Sequence, residues 1–169
     1  MSKAFTKDDD HGTVGLIVPR APLPDGVPNY VTRRGLQALH AELARLERER
    51  GVVEQLDAAD RTTQLQGLAQ RLADLQARLA SARLVDPSLQ PRDEVRFGAS
   101  VRVRSGSGTV HEYQIVGVDE ADAGSGKIAF SSPLARALLG KRLGDSAEVR
   151  APRSNEELEV VGIAYESAD

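Results

Sequence analysis

Between residues 32 and 84 the apolar side chains recur at helical spacing. Leu36, Leu39, Leu43 and Leu46 are spaced three, four and three apart, and Arg50 and Val53 continue the rhythm. After a break, Leu65, Leu68, Leu72, Leu75, Leu79 and Ala82 repeat it. Alternating threes and fours make the seam of a coiled coil. The two seams have six layers each. Folded back on one another, they pair Leu36 with Ala82 at the base and Val53 with Leu65 near the tip. Thr32 suits the N-cap of the first helix. Val85-Asp86-Pro87 ends the second, because proline disfavours helix at the residue before it. The pattern therefore predicts an antiparallel helical hairpin that reverses near residues 57–63. The alternative is one long helix in a parallel dimer; Asp57, Thr62 and Thr63 interrupt the seam and weigh against it.

From residue 94 the period changes to two. Val101 to Arg104 and Tyr113 to Val118 alternate, with the turn residues Ser105-Gly106-Ser107-Gly108 between them. Ile128 to Phe130, Ala147 to Ala151 and Leu158 to Tyr165 read as further strands. One short helix is predicted from Pro133 to Leu139, stopping at Gly140. Proline fits the first turn of a helix, where its missing N–H would be unpaired anyway, and Ser132 sits where an N-cap belongs. Ser131, Ser132 and Pro133 thus form a strand-to-helix corner at an exposed edge. The fold class is α+β: an N-terminal antiparallel hairpin (residues 30–86), a linker (87–93) and a C-terminal antiparallel sheet with one short helix (94–169).

Residues 1–29 contain Asp8-Asp9-Asp10 and prolines at 19, 22, 24 and 28; only Val14 to Val18 is apolar. Such a segment offers little burial against its ordering entropy. It reads as a flexible arm, with Val14–Val18 available to dock elsewhere on the chain.

Composition narrows the function. The 169 residues carry no cysteine, which excludes disulfides and thiolate metal sites and fits the cytoplasm. A net charge of −3 does not support a strong sequence-independent grip on nucleic acid. Aromatics make up 4% and tryptophan is absent, so base-stacking platforms are not expected. No apolar run approaches the roughly 18 residues of a membrane span. His11, His40 and His111 fall in three different zones and suggest no metal cluster. Ala123-Gly124-Ser125-Gly126-Lys127 hints at a phosphate loop, but Ala121 and Ile128 stand where a P-loop needs Gly and Ser or Thr, so it reads as a hairpin turn.

Several blocks resemble the GreA/GreB transcript-cleavage factors of bacteria. Tyr30-Val31-Thr32-Arg33-Arg34-Gly35-Leu36 resembles that family's opening Tyr-x-Thr-x-x-Gly, and Leu39 to Leu46 its Leu-x-x-Glu-Leu-x-x-Leu. Val95 to Val101 and Tyr113-Gln114-Ile115-Val116-Gly117 resemble the start and the central strand of its second domain. Ser132 to Gly140, followed by Gly144-Asp145, is the most specific block. The resemblance implies an FKBP-like second domain that holds the rim of RNA polymerase through Ser131, Ser132, Pro133, Leu134 and Arg136. It implies that the coiled coil enters the polymerase's secondary channel as a monomer. Two acids at its tip, here Asp57 and Asp60, would then act in transcript cleavage by helping to hold a magnesium ion of the polymerase active centre. The chain needs no cofactor of its own and touches nucleic acid only within the elongation complex. Carboxylates are the hard oxygen ligands magnesium prefers, and a two-metal centre stabilises attacking and leaving oxygens alike.

The sequence also departs from that family. Its members carry about fifteen more residues between the positions matched by Leu46 and Arg71, roughly a heptad from each helix. At about 1.5 Å per residue the tip retreats by on the order of 10 Å. The family tip reads Asp-x-x-Glu-Asn, whereas here Asp57-Ala58-Ala59-Asp60-Arg61 supplies two aspartates on one helical face, with Glu54 nearby. Three roles stay open for these acids: opening the second helix, where negative charge is favoured; reaching a metal; or an electrostatic part in the channel without cleavage. Gly51 and Gly67 soften the distal part of the hairpin. Ser131 replaces an aspartate of some members and would hold a polymerase arginine more weakly. Two other functions compete: a coiled-coil dimerisation module, and a peptidyl-prolyl isomerase. The latter is disfavoured because Phe97, Tyr113, Phe130 and Tyr165 are few aromatics to wall a proline pocket.

Overall fold

A computed structural model of the chain describes residues 20–150 and 155–166. The helices come first. α1 (Arg33–Val53) opens at Thr32, whose Oγ1 accepts the Gly35 amide at 2.9 Å. α2 (Ala58–Ser81) runs back along it. Leu46 and Leu75 are fully buried between them, with Leu39, Val53, Leu68 and Leu72 nearly so. Leu36, Leu43, Leu65, Leu79 and Ala82 pack partly buried around these. The apolar positions of both predicted seams therefore meet within one chain. Arg50 does not join them: it stays exposed, 3.7 Å from Glu54 one turn on. Burying its charge without a close partner would cost more than the seam gains.

The reversal occupies residues 54–57, ahead of the predicted 57–63. The amides of Glu54, Gln55 and Leu56 bond back to the carbonyls of Arg50, Val52 and Val53, so the chain turns as soon as the leucine rhythm lapses. Asp57 is extended (φ −62°, ψ 153°), and helix resumes at Ala58. Thr62, expected in the turn, instead donates to the Ala58 carbonyl at 3.4 Å from inside α2.

The base also differs from expectation. α2 stops at Ser81, and Ala82–Leu84 form a strand, β2, parallel to β1 (Asn29–Val31) in the register Asn29–Ala82 to Val31–Leu84. The cause is Asn29. Its buried side-chain amide donates to the Arg78 carbonyl at 3.0 Å and to Ser81 Oγ at 3.1 Å. It thereby joins Ser81 Oγ, which donates to the same carbonyl at 3.0 Å, in satisfying the helix end. Of the flexible arm expected over 1–29, residues 1–19, including Val14–Val18, lie outside the described residues. The part from Arg20 to Asn29 is held down, by ion pairs at Arg20 and by strand pairing at Asn29.

The second unit is a five-stranded sheet in the order β5-β4-β3-β7-β6. β3 (Ala99–Ser105) and β4 (Val110–Val116) are joined at the predicted Ser-Gly turn. β6 (Ser146–Arg150) and β7 (Asn155–Tyr165) complete the antiparallel part. β5 (Lys127–Ala129) runs parallel to β4, so the sheet is mixed instead of purely antiparallel. Two short 3-10 turns, Val118–Glu120 and Ala123–Ser125, carry the chain back alongside Gln114 before β5 begins. A parallel neighbour requires such a crossover. The sequence 123–127 is thus not the hairpin turn expected between antiparallel strands: Ala123–Ser125 form a local 3-10 turn inside the crossover, with Asp122 accepting the Gly124 amide at 3.1 Å, and Lys127 already opens β5.

α3 (Pro133–Leu138) covers the inner face through Ala135 and Leu138, which meet Val101, Val103, Ile115, Leu158 and Val160. The pairing of β3 with β7 slips between Arg102 and Val103, leaving Val161 as an extra residue. One added residue reverses the side-chain alternation. That is why Val160 and Ile163, an odd number apart, both reach the core.

Tyr165 ties the end of β7 to the start of the unit. Its hydroxyl accepts the Arg96 amide at 2.8 Å and donates to the Glu94 carbonyl. Burial pushes this hydroxyl above its ordinary value of 10.0, outweighing the Arg96 amide, which acts the other way. The folded state therefore holds the proton more tightly than the unfolded state. Stability present below pH 10 is lost as pH rises through the folded-state value. Tyr165→Phe should cost about 1–2 kcal/mol at neutral pH and flatten this alkaline decline, as read by urea unfolding at pH 8 and pH 10.5.

Candidate functional site

The corner predicted from Ser131 to Leu134 is built as a capped helix start. The Phe130 amide bonds to the Val116 carbonyl at 2.9 Å, which fixes the end of β5 on the sheet. Ser132 Oγ accepts the Ala135 amide at 3.2 Å, and its carbonyl takes the Arg136 amide at 2.9 Å. Pro133 holds the first helical position. Gly140, at φ +83°, ends the segment and donates its amide to the Val95 carbonyl at 2.8 Å. Pro133 and Arg136 are exposed, whereas Ser131 and Ser132 are half-buried. Leu134 is also half-buried, because it packs against the sheet core. The surface on offer is therefore narrower than the five predicted residues: proline, guanidinium and the rims of two hydroxyls.

At the other end of the molecule, Asp57 and Asp60 are exposed at the hairpin tip. Asp57 occupies the N-cap position of α2, yet its side chain makes no capping hydrogen bond; Asp60 lies in the first turn. Val52 and Leu56 leave apolar surface beside them, at 66% and 38% exposure. Among the described residues no three His, Cys, Asp or Glu side chains come together to hold a metal ion. The tip therefore presents exposed carboxylate oxygens without a closed site among the described residues.

Between corner and tip lies a junction that sequence reasoning missed. The 3-10 turn Val118–Glu120 leans on the foot of the hairpin. Asp119, 10% exposed, sits 3.2 Å from Arg78 of α2 and 2.7 Å from Arg20. The Arg78 contact attracts as an ion pair without the alignment of a hydrogen bond. Glu120 accepts a hydrogen bond from Thr32 Oγ1 at the N-terminus of α1 and pairs with Lys127 at 3.4 Å. Two glycines allow this approach. A Cβ on Gly117 would lie 2.6 Å from the Tyr30 carbonyl, and one on Gly35 would lie 2.7 Å from Glu120 Oε2. Tyr30, Phe97 and Phe130 meet in tilted and edge-to-face contacts, with ring centroids 5.7–5.8 Å apart, and fill the gap between the units. The sequence signal was Gly117 two residues ahead of Asp119-Glu120, together with Gly35 in the first turn of α1.

The family described as "Transcription elongation factor, GreA/GreB, C-term" matches residues 90–165. The transcription elongation factor GreA of Ralstonia nicotianae is 38% identical over 152 residues, covering 80% of this chain and 96% of its own length. The transcription elongation factor GreB of Neisseria meningitidis is 36% identical over 157 residues, covering 83% and 96%. The chain belongs to the GreA/GreB family. A solved GreA/GreB structure from Nitrosomonas europaea is 24% identical, with a TM-score of 0.42 and coverage of 80% of this chain and 98% of that one. In this GreA/GreB chain the matched C-terminal region takes in the corner, β5 and α3, and the hairpin lies outside it. No helix among the described residues is long and apolar enough to cross a membrane.

The cap on α3 sets the shape of the corner in this GreA/GreB member. Ser132→Ala should lower stability by about 1 kcal/mol, measured by chemical denaturation, and should raise amide exchange at Ala135 before it changes exchange at Ile115.

Proposed function

We propose that this chain regulates bacterial transcription by binding RNA polymerase in the cytoplasm as a monomer. The sheet domain holds the polymerase rim at Ser131, Ser132, Pro133, Leu134 and Arg136, and the short hairpin enters the secondary channel. Family membership and the exposed, capped corner support this reading. The observation that carries it is the pairing of that corner with an acid-tipped hairpin whose foot is bound to the same domain. Leu134 enters through the shape it gives the corner, since its side chain also serves the core.

The proposed effect is occupancy with weak cleavage at most. α1 has 21 residues and is about 30 Å long. The Ralstonia relative fills 152 aligned positions where this chain contributes only 80% of its 169 residues, so this chain lacks residues that the relative has. Loss of about a heptad from each arm withdraws Asp57 and Asp60 by on the order of 10 Å. Metal ligation at about 2 Å has no such slack. Where the acids did reach, magnesium of the polymerase would supply the activation of water, and Asp57 and Asp60 would only hold and orient it. The isomerase alternative loses support from the rings themselves. Phe97 and Phe130 are packed against Tyr30, and Tyr165 is bonded to backbone at residues 94 and 96.

Two outcomes test this reading. Pro133→Ala combined with Arg136→Glu changes only exposed positions, so it should weaken polymerase capture at least tenfold while the circular dichroism spectrum and melting curve stay native. Unchanged capture would remove the corner from the interface. With a backtracked elongation complex, labelled RNA and magnesium, the intact chain should release 3′ fragments little faster than polymerase alone. Rapid release that Asp57→Ala or Asp60→Ala abolishes would show that the short arm reaches the active centre.

A further inference from the structure

The segment just ahead of the hairpin makes contacts that a connecting arm does not need. Arg20 spreads its guanidinium between two units. Nη2 donates to Glu42 Oε1 of α1 at 2.7 Å, and Nη1 donates to Asp119 Oδ1 of the sheet domain at 2.7 Å. Next to it, the Ala21 carbonyl accepts a hydrogen bond from Arg78 of α2. Arg78, 8% exposed, itself faces Asp119. One short stretch of backbone therefore touches both helices and the sheet domain. Burial alone would lower the pKa of Arg20; the bonds to Glu42 and Asp119 outweigh it and raise it, so the guanidinium is held by both carboxylates at once.

We infer that Arg20 and Ala21 form a cross-brace that sets the angle between hairpin and sheet domain, making Arg20 a positioning residue for the distant tip. Three observations support a brace over a casual surface pair. First, the contact is tripartite: Glu42 lies on one helix, Arg78 on the other and Asp119 beyond both. A change of hairpin angle must break at least one leg. Second, the geometry needs a fork. A planar guanidinium can hold two carboxylates in fixed directions, whereas an ammonium is a single point charge. Third, Arg20 and Ala21 precede Tyr30, where the motifs that resemble GreA/GreB begin, so the brace is made by residues outside those motifs. The turn that follows, with the Val27 amide on the Pro24 carbonyl and Gly26 at φ +69°, returns the chain to β1 and keeps the brace short.

The inference concerns the free protein and stands apart from the polymerase reading. The chain has no native cysteine, so two can be introduced as spin-label sites. Gln55→Cys lies in the tip loop and Glu112→Cys on the exposed side of β4; both are exposed. Pulsed electron resonance on the full chain should give one narrow distance distribution. Arg20→Gln should at least double its width, with the circular dichroism spectrum still that of a folded chain. Arg20→Lys should recover only part of the narrowing. Glu42→Ala, which removes the acceptor on the hairpin and leaves Asp119 paired, should broaden the distribution as well. This second variant decides the matter if Arg20→Gln folds poorly. Distributions as narrow as the parent in folded Arg20→Gln, or in Glu42→Ala, would overturn the brace.

Discussion

Asp119 is the carboxylate on which the arrangement of the two units turns. It is nearly buried, it faces Arg78 at 3.2 Å and Arg20 at 2.7 Å, and it sits on a 3-10 turn that belongs to the sheet. Desolvating a charge is costly unless partners compensate, and removing one partner leaves the others exposed to that cost. The network therefore holds as a set. Its importance comes from leverage: a tilt of about 10° at the foot moves the end of a helix about 30 Å long by about 5 Å. A protein that acts at the far end of its hairpin depends on its foot. Glu120 on Thr32 and the close approach of Gly117 to Tyr30 make the same joint from the neighbouring side.

Most of the fold could be read from periodicity. The seams of α1 and α2, the alternation of β3 and the capped start of α3 all rest on local spacing, and local spacing is what a sequence displays. The failures share a cause. Asn29 ends α2 early through contacts with residues about fifty positions away, and no pattern near Ala82 announces it. The parallel placement of β5 depends on a crossover of two 3-10 turns that resembled a simple hairpin loop. Arg50 matched the heptad by position but not by chemistry, and it stays in water.

The candidate site was legible to a similar degree. The capped corner at Ser132 and Pro133 could be read because capping chemistry is local, whereas Arg136 entered only through the resemblance to GreA/GreB. Leu134 was placed in the same surface, but its side chain also faces the core. The tip acids were found as a spacing, and the structure adds that Asp57 makes no capping bond. The ion pairs of Arg20, Glu42, Arg78 and Asp119 escaped notice. Each residue looked ordinary among the exposed charges of a helix or loop, and only the tertiary fold brings them together.

The parallel pair of β1 and β2 has one more consequence. It joins Asn29–Val31 to Ala82–Leu84, and the Val85 amide extends the ladder to the Val31 carbonyl at 3.1 Å. The hairpin is thereby stapled where its chain enters and where it leaves, like a loop of rope tied at its own neck. Separation of the helices cannot start there without breaking strand pairs and the buried Asn29 bonds together. Opening must begin at the free end, where Gly51 and Gly67 weaken the arms and Val52 and Leu56 are already half in water. Compliance and anchorage are thus divided along one rod. The distal turns can yield to the shape of whatever they meet, while the foot keeps the memory of where the rod should point.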